Sequence, residues 1–217
     1  MQNNHECVTA WTAEEQHLIR PITNFETNSW IFGTFKVGQV YWFVILDSNP
    51  SNAIWPHKSE DTIVQINPVP VSTVIISTPP APVRYTESEM YDMLFGSSVE
   101  SVFRVFAPGV IYQGKYITEG TECPSVGILK CSLGDIMMLE NPFNMSATRC
   151  RIFQVFDFPV TAQNQDALLK NLNERPANTP VLVFLGLGRP FAGTGVNVYN
   201  PRRCYILVIG VIMQHGG

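Results

Sequence analysis

The residues with the most obvious chemical promise are the glycines at 186, 188, 193 and 195, which follow an apolar run in "PVLVFLGLGRPFAGTGVNVYN" (180–200). A dinucleotide site needs G-x-G-x-x-G between a strand and a helix, with an acidic residue about 20 positions later to hold the ribose. Here Phe191 stands where the third glycine belongs, and "AGTGVNVYNP" reads as strand and turn rather than as the opening of a helix. No G-K-[ST] follows, so the Walker pattern fails as well. The glycines are therefore expected to shape a loop, with Gly193 or Gly195 adopting a backbone conformation that a Cβ resists. Neither nucleotide nor cofactor is expected.

Nucleophiles and metal ligands fare no better. Cys7, Cys123, Cys131, Cys150 and Cys204 form no C-x-x-C pair, and His5, His17, His57 and His215 stand apart, so no metal site is expected. The odd cysteine count suits free thiols in a reducing compartment. Cys123, Cys150 or Cys204 beside a histidine would make a thiol-dependent hydrolase, but no local nucleophile signature surrounds them. Burial preference favours a core thiol within "RCYILVIG", so no enzyme is expected. G-x-S-x-G is absent. Glu119 and Glu122 frame the loop "TEGTEC", which reads as solvated. His57, in "AIWPHKSED" beside Trp55, suits a binding loop, against the plainer reading of a surface histidine.

The elements that must position these groups follow a period of two. "WIFGTFK" (30–36), "QVYWFVIL" (39–46), "DTIVQIN" (61–67), "VSTVIIS" (71–77), "SVFRVF" (101–106), "GVIYQGKYI" (109–117), "VGILKCS" (126–132), "RCRIFQVFDF" (149–158), "PVLVFL" (180–185), "VNVY" (196–199) and "RCYILVIGVI" (203–212) are rich in β-branched and aromatic residues and bounded by Gly, Pro, Asn or Asp. Three short helices carry their own signals. Thr12 with Glu15, and Thr86 with Glu89, form capping boxes, and "NQDALLKNLNERP" (164–176) carries a leucine stripe of Leu168, Leu169 and Leu172. The expectation is a mainly β chain of one domain over 1–217, an antiparallel β-sandwich with helices in its connections. An N-terminal helical arm (1–21) and a proline-framed edge strand within 67–85 complete it.

Charge is scarce: Asp, Glu, Lys and Arg make up 15% of the 217 residues, against about 25% in an average soluble chain. Surfaces covered by partners tolerate such depletion. The net charge of -4 argues against nucleic acid as the main ligand. No run is long and apolar enough to span a bilayer, and the N-terminus has no basic region followed by an apolar one, so cytoplasmic synthesis without a secretory signal is expected.

A charge-poor, Asn/Thr/Pro-rich β-sandwich of this length resembles the jelly-roll capsid or protrusion proteins of non-enveloped viruses. The resemblance is one of rhythm and composition over the whole chain and carries no residue across. It implies an assembly subunit that meets copies of itself or other structural subunits, within a virion, through loops 47–60, 118–125 and 186–195. Candidate contact residues are Trp55, His57, Ile75, Ile76, Arg189 and Phe191. The main alternative is a lectin-like module recognising a glycan or receptor through an aromatic face, for which Trp55 is the candidate.

Overall fold

A computed structural model describes residues 5–6, 8–12, 17–23, 30–31, 43–48, 50–51, 53–58, 60–66, 86–95, 116–140, 148–153, 156–161 and 165–214. Among the described residues the chain is mainly β, with several sheets, one of them curled into a half-barrel, and two short helices. The strands expected at 71–77 and 101–106, and with them Ile75, Ile76 and the segment 67–85, lie outside the described residues.

One sheet has the order β2 (Ala10–Thr12), β3 (His17–Ile22), β6 (Asp61–Ile66), β5 (Phe43–Asp47). A second has the order β13 (Phe191–Thr194), β14 (Asn197–Met213), β12 (Pro180–Leu187), β8 (Val126–Ser132), and β7 (Tyr116–Thr118) also pairs with β14. β9 (Ile136–Glu140), β10 (Thr148–Ile152) and β11 (Phe156–Pro159) form a third sheet, and β1 (His5–Glu6) pairs with β4 (Trp30–Ile31). The helices are α1 (Glu87–Phe95) and α2 (Gln165–Glu174).

β12 explains why "PVLVFLGL" shows no alternation. Val181, Val183 and Leu185 pack with Ile206, Val208, Cys150, Ile152 and Phe158 in one core. Leu182 faces the other way, with Ile128, Ile212 and the α1 residues Tyr91 and Leu94 in a second. A strand buried on both faces must be apolar at every position.

The structure corrects several expectations. Where an N-terminal helical arm is expected, the described residues Ala10–Thr12 and His17–Ile22 are instead antiparallel strands, with Trp11 opposite Leu18. Thr12 Oγ1, expected to cap a helix, donates instead to the His17 carbonyl at 3.1 Å. A helix cap contributes about 1 kcal/mol. Burying Leu18, Ile19 and Ile22, as β3 does, stabilises by roughly 1.5–3 kcal/mol for each side chain, so the strand wins. The pairing is not wholly antiparallel either, because β3 and β6 run parallel with Arg20 beside Asp61. The run expected as one strand over 149–158 is two, folded back so that Cys150 lies opposite Phe158, with Phe153 at φ 51° in the turn. Conversely, 197–199 and 203–212, expected as parts of two strands, belong to one continuous strand.

α1 begins as its sequence predicts: the Thr86 N–H donates to Glu89 Oε2 at 2.8 Å and the Glu89 N–H to Thr86 Oγ1 at 3.3 Å. In α2, Leu172 packs against the first core while Leu169 is exposed.

The glycine-rich stretch is strand, loop and hairpin. β13 and β14 pair with Thr194 opposite Asn197, which leaves Gly195 and Val196 as a two-residue turn. Gly195 has φ +60° and Val196 has no positive φ, the pattern of a type II′ turn, which requires glycine at its first central position. Gly193, at φ +88°, is more constrained still, since a Cβ there would overlap the Asn197 carbonyl. Gly193→Ala should lower stability by about 1–3 kcal/mol. Gly186→Ala should cost less, because its Cβ would meet only the Ile209 side chain at 3.1 Å. Equal unfolding midpoints for these two variants would show that the hairpin is not built this way.

Candidate functional site

Two of the loops singled out for contacts, 47–60 and 186–195, line one cleft between the sheet of β2, β3, β5 and β6 and the sheet containing β12 and β14, and the third, 118–125, borders it through the pair of Glu119 with the lining residue Arg202. Its floor begins with the parallel pairing that sets Arg20 of β3 beside Asp61 of β6, while the Arg20 N–H donates to the Glu60 carbonyl at 2.7 Å. Arg20 Nε lies 3.7 Å from Asp61 Oδ1. From the β12–β13 connection, Arg189 closes a two-pronged pair on the same carboxylate at 2.7 and 3.2 Å. Glu60 accepts from the Ser125 N–H at 3.1 Å and the Ser125 hydroxyl at 2.8 Å, while the Leu187 N–H donates to the Ser125 carbonyl at 2.7 Å. Arg20, His57, Glu60, Asp61 and Ser125 are all buried. Each thereby ties one sheet to the other, and buried charge is tolerated because it is paired and hydrogen-bonded.

His57 is neither a surface residue nor a free binding-loop side chain. It is buried, and its Nε2 lies 3.1 Å from the Leu187 carbonyl. A carbonyl only accepts, so Nε2 carries the proton. Burial, then the Arg20 and Arg189 charges, push its pKa down to about 3, against partial compensation from the Leu187 and Gly188 carbonyls. The imidazole is neutral at physiological pH.

The cleft has a volume of about 180 Å³ and is lined by Ile22, Ile54, His57, Asp61, Arg189 and Arg202, among others. Arg202 of β14 forks onto Glu119, and the Glu119 N–H donates to the Arg202 carbonyl at 2.8 Å. Glu119 is thus paired rather than solvated. Its neighbour Gly120 donates to the Trp55 carbonyl at 3.0 Å, and Trp55 itself is half-buried.

Phe191 lies apart from the cleft on an aromatic stack, exposed, with ring centroids 6.4 Å from both Tyr199 and Tyr205. The Arg203 guanidinium is sandwiched there, 3.7 Å from the Tyr199 ring centre and 4.1 Å from that of Tyr116. The structure therefore unites His57 and Arg189, places Trp55 at the margin and sends Phe191 elsewhere.

Sequence reasoning missed Arg20, Glu60, Asp61, Ser125 and Arg202. A signal existed for Arg20: a charge enclosed by Ile19, Pro21 and Ile22 in a chain short of charge must find a partner if it is buried.

Cys123, Cys131, Cys150 and Cys204 are free, while Cys7 lies outside the described residues. Burial pushes all four thiols up, Cys123 and Cys204 to about 11 and Cys131 and Cys150 to about 12. Such surroundings oppose the thiolate that a nucleophile needs. Among the described residues no cluster of three or more His, Cys, Asp or Glu could hold a metal ion, and no helix is long and apolar enough to cross a membrane. No protein family, curated protein or solved structure matches this chain.

Proposed function

We propose that this chain is an assembly subunit acting through protein–protein contacts, a sandwich of the jelly-roll kind that serves as a capsid or surface-protrusion component. The observation that carries the reading is the β13–β14 ribbon, whose tip presents Val196 at 99% and Val198 at 71% exposure. The ribbon is held by its glycine turn and aromatic stack, so these side chains are presented on an ordered support. β5 adds Val44, Ile45 and Leu46, all exposed on a strand that pairs only with β6 among the described residues. Exposed apolar groups on ordered strands suit partner contacts, and a charge-poor surface opposes association only weakly.

Sedimentation of the full chain over a wide concentration range tests this. The protein should associate with rising concentration, and Val196→Glu with Val198→Glu should weaken association about tenfold or more while leaving the unfolding midpoint of the dilute protein unchanged. A monomer at every concentration, indifferent to the double substitution, would overturn the proposal. The exposed Phe191 face favours a second reading, a glycan-recognition module. That alternative requires a monomer retained on glycans and released by Phe191→Ala.

A further inference from the structure

The geometry points to a binding site for a small organic carboxylate in the cleft between Arg189 and Arg202. This inference is independent of the assembly proposal. Each guanidinium is held by a carboxylate fork that occupies two of its five N–H donors and leaves the others for a ligand. Among the described residues no further hydrogen bond is made by either side chain. The surrounding charges balance in number, with Arg20, Arg189 and Arg202 against Glu60, Asp61 and Glu119. They do not balance in depth. Asp61 and Glu119 are 2% and 17% exposed, whereas Arg189 and Arg202 are 37% and 46% exposed. The positive ends of both pairs therefore lie nearer the solvent and the negative ends deeper in the protein. Because both guanidiniums are already anchored, a ligand carboxylate meets donors whose ordering cost has largely been met, in the fork geometry that arginine offers.

Size and polarity narrow the class further. A cavity of about 150 Å³ accommodates benzene, and the cleft is slightly larger at about 180 Å³. Ile22, Ile54 and Pro190 supply apolar wall beside the arginines. A compact apolar body carrying one carboxylate fits both features, whereas inorganic phosphate would leave the apolar wall unused.

Benzoate is the probe and benzamide its uncharged counterpart. Titration of the full chain at neutral pH and low salt, followed by amide NMR shifts, should show saturable benzoate binding centred on residues 53–55, 57, 189 and 202. Benzamide and inorganic phosphate should each bind at least tenfold more weakly. Arg202→Gln, a change at a half-exposed side chain, should weaken benzoate about tenfold or more and leave benzamide unaffected. The inference falls if benzoate produces no saturable shifts up to about 10 mM, if benzamide or phosphate matches it, or if folded Arg202→Gln binds it as well as the parent. Should Arg202→Gln fail to fold, the comparison of the three probes on the unaltered chain decides the question.

Discussion

Asp61→Asn should destabilise this protein by about 3 kcal/mol or more, although it changes neither the shape nor the size of the side chain. Asp61 is the carboxylate on which Arg20 and Arg189 meet, and it is almost entirely removed from solvent. Replacing it with a neutral amide leaves the buried Arg20 guanidinium without this counter-charge, and removing one member of a buried pair costs far more than the pair contributes net. In a domain of this size the loss should appear as a fall in melting temperature of roughly 6–12 °C. Arg189→Gln should cost less, because its guanidinium reaches solvent and Asp61 would keep Arg20. The double variant should cost less than the sum of the two single changes, since both break the same contact. If Asp61→Asn unfolds within about 0.5 kcal/mol of the parent, the charged cluster does not hold the two sheets together.

Acidification should produce the second large effect. The pKa of His57 is about 3 in the folded chain, against an ordinary value of 6.5. Below 6.5 the unfolded chain binds a proton that the folded chain refuses, so stability is full above that value and is lost progressively as pH falls towards 3. Between pH 7.5 and 5.5, above the ordinary titration range of carboxylates, this single group should remove about 1.4 kcal/mol. The physical source is chiefly the burial of the imidazole, reinforced by Arg20 and Arg189. His57→Gln retains a side-chain N–H to donate to the Leu187 carbonyl and has nothing to titrate. Its stability should be nearly flat over the same interval in denaturant titrations, whatever it loses at neutral pH. A parent slope no steeper than that of His57→Gln would show that His57 is protonated in the folded protein without penalty.

Much of the fold was legible because it is local. The Thr86–Glu89 capping box joins residues three positions apart and closed as its sequence predicts. The turn at Gly195 and the positive φ of Gly193 also depend on neighbours a few positions away. The same box at Thr12 and Glu15 misled, because a local preference of about 1 kcal/mol was outweighed by apolar burial that depends on distant strands. Phe153 shows the converse: nothing in "RIFQVFDF" announces a turn, yet the Phe153 N–H donates to the Asp135 carbonyl at 2.8 Å and the chain reverses.

The candidate site belongs almost wholly to tertiary structure. Arg189 and Asp61 are 128 residues apart, His57 and Leu187 are 130 apart, and Ser125 and Glu60 are 65 apart. By itself the sequence determined a β-rich chain of low charge, two of its helices and a structural role for its glycines, because each follows from residue type and short spacing. Only the folded chain decided that the scarce charges meet: the parallel pairing of β3 with β6 puts Arg20 beside Asp61, and the crossing of the β12–β13 connection supplies Arg189. Residue type records that a charge needs a partner when buried, but the identity of that partner is settled by which strands become neighbours.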